Sequence, residues 1–335
     1  MMQQMLRGMG GPVKSVKLKV LHLDGTEEDI SQQSSYSFQH GDIIEPIFGD
    51  YEVVIKCAGK RGQRNSDHTY KLSGYGAWVQ GTINMKYGAK YYVKISDGIG
   101  ALYWGDSGSN NDLCMMLGAE GGHGKRYAAG FYESDRDWAS DFNRLGLGGN
   151  AGVCDSFGNS TGSPGEGSPG INNAISVDAT GGSGGNVTGH GSTGGSGGGG
   201  GIGTGPDGGK TGGTGGYFAG GAVDWNQINV SGGGEGGMGY FGGGGGGSVV
   251  ETSKNYWSGG GGGGGASYAG GVPSSFLINS SIDDASVTNI ISQLNTDPDT
   301  VDTAFVTCVS AQKTGEKEQP YWVGHQYDGN YPAQH

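Results

Sequence analysis

Few places in this chain have the residue types that catalysis or metal binding would need, and each of them is incomplete. Gly209-Lys210-Thr211 has the ending of a phosphate-binding loop, in which backbone amides and a lysine cradle a nucleotide's phosphates. Thr204 occupies the position of the upstream glycine that this motif requires, and the residues that follow do not read as a helix. His40, His68, His123 and His190 are scattered, with no pair at helical metal-ligand spacing. Glu133, Asp135, Asp137 and Asp141 crowd around Arg136 and Trp138 and read as a solvated face, with calcium binding as the alternative because hard cations take oxygen ligands. Cys57, Cys114, Cys154 and Cys308 form no C-x-x-C pair, which argues against zinc. Three of them sit in or beside apolar strand-like text and are expected as buried free thiols, a disulfide being the alternative for a protein that works outside a cell. Four N-x-[ST] matches, at Asn159, Asn186, Asn229 and Asn279, are what chance gives in a Ser/Thr-rich chain. The chain reads as a non-enzyme without a metal site or cofactor.

Binding chemistry is better represented. Short pieces bearing large aromatics recur between glycine stretches: Tyr217-Phe218, Trp225, Tyr240-Phe241, Tyr256-Trp257 and Tyr268, with Asn226, Gln227, Lys254 and Asn255 among them. Such rings can plug the ends of glycine segments, or they can stack on sugars and fill apolar pockets of a partner. Tyr217, Trp225, Tyr240, Tyr256 and Trp257 are the candidate ligand- or receptor-binding residues.

What must position them is unusual. Glycine supplies 77 of 335 residues, including unbroken runs at 242–247 and 259–265, against a usual share of about 7%. Proline is too scarce for collagen. The flanking text is ordinary and β-like. Residues 16–20 alternate apolar and basic, and further strand candidates fall at 43–47, 51–57, 76–85, 90–96 and 112–117, punctuated by turns at Gly49-Asp50, Gly74 and Gly88. Val287, Ile290, Ile291 and Leu294 recur at helical spacing, so one short α-helix is predicted over 284–294, capped by Asp284 and stopped at Asp297-Pro298. An apolar strand at 303–310 reads as a return to the sheet begun before residue 118. The glycine zone, about 119–271, is therefore predicted as an insertion within one all-β unit.

Polyglycine has an ordered state available to it. It can adopt an extended threefold helix with about 3.1 Å rise per residue and no internal hydrogen bonds. Each N–H and C=O then needs a partner on another segment. Ordering costs about 1–2 kcal/mol per residue and each bond returns about 1 kcal/mol net, so only a dense lattice with several neighbours holds together. Flexible linkers are Gly/Ser throughout; the aromatic interruptions here favour the lattice.

The net charge of −12 and the absence of RGG or aromatic RNP signatures argue against nucleic acid as a partner. No stretch approaches the roughly 20 apolar residues of a membrane-spanning helix, and residues 1–11 lack the apolar stretch of a secretory signal.

The order Gly49-Asp50-Tyr51-Glu52-Val53, Gly74-Tyr75-Gly76-Ala77, 79–83, Tyr91-Tyr92-Val93, then the tracts at 232–247 and 257–268, resembles the glycine-rich domain of the anaplastic lymphoma kinase and leukocyte tyrosine kinase receptors. The similarity spans roughly 36–312, and the Trp-x-Gly-run-Ala-x-Tyr of 257–268 is its most telling piece. It implies a jelly-roll-like β-sandwich interrupted by bundled polyglycine II helices. The alternation of glycine motifs with short aromatic loops also resembles the tail-fibre tip adhesins of T-even-like bacteriophages, whose loops contact the bacterial receptor. A virion protein needs neither signal peptide nor membrane anchor.

Together these readings predict an N-terminal assembly segment at 1–35, a β-sandwich with its glycine insertion at 36–318, and an aromatic tail at 319–335 that carries Tyr321, Trp322, Tyr327 and Tyr331. The expected function is that of a virion fibre or fibre-tip protein acting outside the cell. Its partners would be a host-surface protein or glycan, other virion proteins and copies of itself. The alternatives are a structural subunit of a virion appendage or extracellular fibril, and a ligand-binding module of a cell-surface receptor.

Overall fold

A computed structural model describes residues 17–63, 73–124, 126–127, 147–163, 168–169, 178–190, 194–204, 209–222, 231–251, 256–273 and 285–315. Among these the chain is all-β, with a short 3-10 turn at Asn111–Leu113 and no α-helix. Residues 1–16 of the N-terminal segment predicted at 1–35, the acidic group at 133–141, Trp225, and the aromatic tail at 319–335 lie outside the described residues.

Two antiparallel sheets carry the core. The first holds β1 (Leu18–Leu21), β2 (Glu27–Asp29), β4 (Ile43–Pro46), β7 (Tyr91–Ile95), β8 (Gly100–Trp104) and β9 (Cys114–Gly118), in the order β2-β1-β4-β7-β8-β9. In the second, β3 (Tyr36–Ser37), β5 (Asp50–Ala58), β6 (Ala77–Met85), β10 (Thr288–Leu294) and β11 (Phe305–Gly315) run in the order β10-β6-β5-β11-β3. Alternation explains most of them. In β5, Val53, Ile55 and Cys57 are buried while Glu52 is exposed, the period-two pattern of a strand with one wet face. β5 touches β8 and β9, and β11 touches β7 and β8, so both sheets feed one apolar core.

Two strands depart from the sequence expectations. The segment predicted as a helix is instead β10, an edge strand paired antiparallel with β6 from Thr288↔Thr82 to Leu294↔Ala77. Ile290 and Leu294 are four residues apart, a separation that suits a helix turn and two steps of a strand equally well. The β-branched residues and the open edge of β6 decide for the strand. β8 was not anticipated: Gly-Ala-Leu-Tyr-Trp is buried at every position, because the glycine-rich region covers the face that solvent would otherwise wet. The return strand expected at 303–310 is β11, which pairs with β5 from Phe305↔Ala58 to Gly315↔Asp50.

The glycine runs are held by backbone bonds whose partners repeat every third residue. The N–H groups of Gly242 and Gly245 donate to Gly216 and Gly213, those of Gly243 and Gly246 to Gly237 and Gly234, and those of Gly244 and Gly247 to Ser183 and Thr180. All six distances fall between 2.8 and 3.0 Å. On the acceptor side, Gly242 and Gly245 receive from Gly198 and Gly201, Gly243 from Gly221, and Gly244 and Gly247 from Gly263 and Gly260. One run therefore bonds to six separate segments. The second run behaves alike: the carbonyls of residues 260–265 accept in turn from Gly234, Gly182, Gly149, Gly237, Gly185 and Gly152.

This network reaches beyond the glycine zone that composition marks out. Past the ends of β5, β6 and β9 it takes in Gly62, which donates to Gly74; Gly74, which donates to Gly122; and Gly122, which donates to Gly149. Sheet strands thus run directly into the glycine segments. The close approach needs residues without side chains, since a Cβ on Gly243 would fall on the Gly263 carbonyl and one on Gly246 on the Gly260 carbonyl.

Candidate functional site

Each long run has two ends, and they differ. At the end beginning with residue 242, five aromatics converge against β8 and β9. Tyr240 stacks on Tyr268 with ring centroids 4.2 Å apart, and Tyr217 lies 5.0 Å from both Tyr240 and Phe241. The Tyr217 hydroxyl donates to the Tyr240 hydroxyl at 2.6 Å, and the Tyr268 hydroxyl to the Gly271 carbonyl at 2.6 Å. Burial raises the hydroxyl pKa of both Tyr217 and Tyr268. Leu117 of β9 and Tyr268 exchange backbone hydrogen bonds of 2.7 and 2.9 Å, which splices this cluster onto the first sheet. Phe218 sits at φ 57, a left-handed conformation strained for an aromatic, with its ring packed between Tyr217, Tyr240 and Tyr103 of β8.

This packing corrects one of the sequence expectations. Tyr240, read as a candidate receptor contact, is 0% exposed and belongs to the core. Its neighbour Tyr217 is half-buried against it. Apolar area at this end is consumed by closing the glycine segments onto the sheet, which leaves these two rings little to offer a partner.

A polar clamp fastens the same junction. Glu120, 2% exposed, lies two residues past the end of β9; its Oε1 lies 3.9 Å from Lys60 Nζ and 3.2 Å from His123 Nε2, and its Oε2 accepts the Met238 N–H at 3.1 Å. The other ring nitrogen of His123, Nδ1, is 3.7 Å from Glu235 Oε2. A buried carboxylate with three partners fixes a segment's position rather than offering a reaction centre. Among the described residues no three His, Cys, Asp or Glu side chains gather where they could hold a metal ion. All four cysteines are free thiols; Cys57, Cys114 and Cys308 are buried, and burial raises the thiol pKa in each, to about 11 in Cys308.

The other end, beyond residue 247, is built from short strand pieces. Ser248–Glu251 pairs with Tyr256–Gly259 and with Gly209–Lys210, so Trp257 stands opposite Val250 and Tyr256 opposite Glu251. A second small sheet of Ser168–Pro169, Asp178–Ala179 and Gly203–Thr204 touches the first. Beside them Ile202 is 55% exposed, its N–H donating to Thr180 Oγ1 at 2.7 Å. Of the five candidates, Tyr256 and Trp257 are thus placed by their backbone at this end, Tyr217 and Tyr240 at the packed end, and Trp225 lies outside the described residues.

Sequence reasoning passed over one exposed ring. Phe157 is 80% exposed at the tip of a turn that Asp155 braces. The Asp155 carboxylate accepts the N–H groups of Phe157 at 2.8 Å and Asn159 at 3.0 Å; burial is the largest single influence on its pKa and raises it, but the hydrogen bonds from Asn159, Phe157 and Gly158 together outweigh burial and hold the pKa below the usual carboxylate value. Gly158, at φ 80, closes the turn. The readable signal was Asp155-Ser-Phe-Gly-Asn159, turn chemistry with an aromatic at its tip. Two N-x-[ST] matches fall nearby; the Asn159 amide donates to Asp155, and the Asn186 oxygen is buried.

No protein-family model matches this sequence, and no curated protein matches it.

Proposed function

We propose that this chain is a non-enzymatic fibre or fibre-tip protein of a virion, which presents a recognition surface at the free end of a rigid glycine bundle to the surface of a host cell. The two sheets form a jelly-roll-like β-sandwich, and the inserted segments are polyglycine II helices packed side by side. The observation that carries this reading is the three-residue period of hydrogen-bond partners along residues 242–247. A threefold extended helix turns each successive amide by a third of a circle, so every third one faces the same neighbour.

Hydrogen bonding of about 1 kcal/mol per residue only offsets an ordering cost of about 1–2 kcal/mol. Such a bundle needs anchoring, which the aromatic cluster and the Glu120 clamp supply at one end. At about 3.1 Å per residue, six glycines then hold the Tyr256–Gly259 ribbon roughly 15–20 Å from that anchor. A stiff stalk with loops at its far end lowers the ordering cost of binding. Tyr256, Trp257 and Trp225 are the residues proposed to meet the receptor, a surface protein or glycan.

Purified, fluorescently labelled protein should bind cells of the host strain and block attachment of the virion. Trp257→Ala should reduce binding at least tenfold with the melting transition unchanged. Soluble, folded protein that binds no cells at micromolar concentration would refute the reading. A second reading, a structural subunit of an appendage, is favoured by β10, the outermost strand of its sheet among the described residues, where Ile291 is 51% exposed. That subunit would polymerise when purified.

A further inference from the structure

Residues 1–16 and residues 316–335 join the described residues at one place. The first of these segments enters at Lys17, whose carbonyl accepts the N–H groups of Ile47 at 3.0 Å and Phe48 at 3.4 Å. The second leaves from Gly315, which pairs with Asp50 and lies so close to Gly49 that a Cβ there would fall on the Gly315 carbonyl. Residues 47–50, the turn between β4 and β5, therefore stand between the two exits. This is the pole of the sandwich away from the glycine bundle, because β5 runs from Asp50 to Ala58 over roughly 25–30 Å and the glycine network begins past Ala58.

An aromatic ring marks the pole. Phe48 is 49% exposed, and Ile47 before it and Tyr87 on the adjoining turn are half-buried. The two turns are bonded to each other: the Gly88 N–H donates to the Pro46 carbonyl at 2.7 Å, the Tyr87 N–H to Asp50 Oδ1 at 3.1 Å, and Lys86 Nζ lies 3.4 Å from Asp50 Oδ2. With Lys17 holding its other side, the Phe48 turn is fixed, and the exposure of its ring is a feature of the fold.

We infer that Phe48 and Ile47 are the seat of the chain's own aromatic tail, with Trp322 packed on the Phe48 ring. Pro320-Tyr321-Trp322-Val323 follows the polar piece Glu316-Lys317-Glu318-Gln319. Trp322 is seven residues beyond Gly315, a stretch that spans at most roughly 25 Å, and Gly315 already lies against the residue next to Phe48. A connection this short holds the tail at an effective concentration of about millimolar, so the contact within one chain prevails over the same contact between copies at micromolar protein. The other segment at this pole, residues 1–16, contains no aromatic residue, whereas a pair of rings gains more than the area it buries. The clasp ties the β4–β5 turn to β11 and closes this pole of the sandwich, leaving the glycine bundle at the free end.

Photocrosslinking of the full chain with p-benzoylphenylalanine in place of Phe48 tests the assignment. The probe sits on an exposed ring position, so the folded state is kept, which an unchanged melting transition verifies. After irradiation at micromolar concentration the product should run as a monomer, and trypsin should release peptide 20–56 joined to peptide 318–335. Adding Trp322→Ala should lower the yield of that joined peptide at least fivefold. Crosslinks only within a covalent dimer would place the tail on a second copy and overturn the proposal. It would also be overturned by crosslinks to residues 1–16, by none to the tail, or by a yield undiminished in Trp322→Ala. The measurement involves no cells, so its outcome is independent of whether the protein attaches to a host.

Discussion

Gly263 donates its backbone N–H to the carbonyl of Gly244 at 2.8 Å, and through that bond the two longest glycine runs lie side by side. Three residues away in each run, Gly260 donates to Gly247 at 2.9 Å. No side chain separates these backbones, which makes the stability of the bundle sensitive to single methyl groups.

Gly243→Ala puts a methyl group onto the Gly263 carbonyl, whereas Gly199→Ala meets nothing within 4 Å. Overpacking of this kind costs about 1–3 kcal/mol, occasionally more. The first variant should therefore lose at least that much in urea unfolding. The second should stay within about 0.5 kcal/mol of wild type or gain slightly through a less flexible unfolded chain. Equal effects at the two positions would show that the runs are not packed as described.

Glu120→Ala removes the acceptor of the Met238 N–H and leaves Lys60, 8% exposed, without its carboxylate. Breaking a buried pair in this way costs about 3–5 kcal/mol. Adding Lys60→Met should recover part of the loss, so the double variant falls short of the sum of the singles. Strict additivity in urea denaturation would mean that the two residues do not act as a pair.

Burial among aromatic rings lowers the pKa of His190 below its ordinary value of 6.5. A depressed histidine resists a proton that the unfolded chain accepts, so its contribution is intact above pH 6.5 and is lost as the pH falls below it. His190→Gln should flatten the decline in stability between pH 7 and about pH 5. An identical slope in both proteins would contradict the neutral, packed imidazole.

Cys57, Cys114 and Cys308 are buried thiols whose pKa burial has raised. Because the thiolate is the reacting species, iodoacetamide at about pH 8 should leave these three unmodified in the folded protein and label them on unfolding. Labelling at equal rates in both states would place them elsewhere than in the core.

The sequence made the outer strands legible because one of their faces is wet. Val53, Ile55 and Cys57 alternate with Glu52 and Lys56, and that pattern needs no knowledge of the partner strand. It failed where the fold removes the contrast. Residues 100–104 have no wet face, and Ile290 with Leu294 satisfies two periods at once. The candidate site divided for a related reason. Whether an aromatic next to a glycine run is buried depends on which end of the bundle it occupies, and that is set by pairings as distant as Leu117 with Tyr268. Composition marked the glycine zone but could not show that Gly62 and Gly74, outside it, belong to the same network.

Amide hydrogen exchange along residues 242–247, followed by NMR, tests the central claim most directly. All six N–H groups have backbone acceptors within 3.0 Å and sit in the buried interior of the bundle. They should exchange about a thousandfold or more slowly than an unstructured glycine chain, in step with the core strands β5 and β6. Exchange at the unstructured rate, with β5 and β6 still protected, would contradict a hydrogen-bonded glycine bundle and the recognition surface proposed to depend on it.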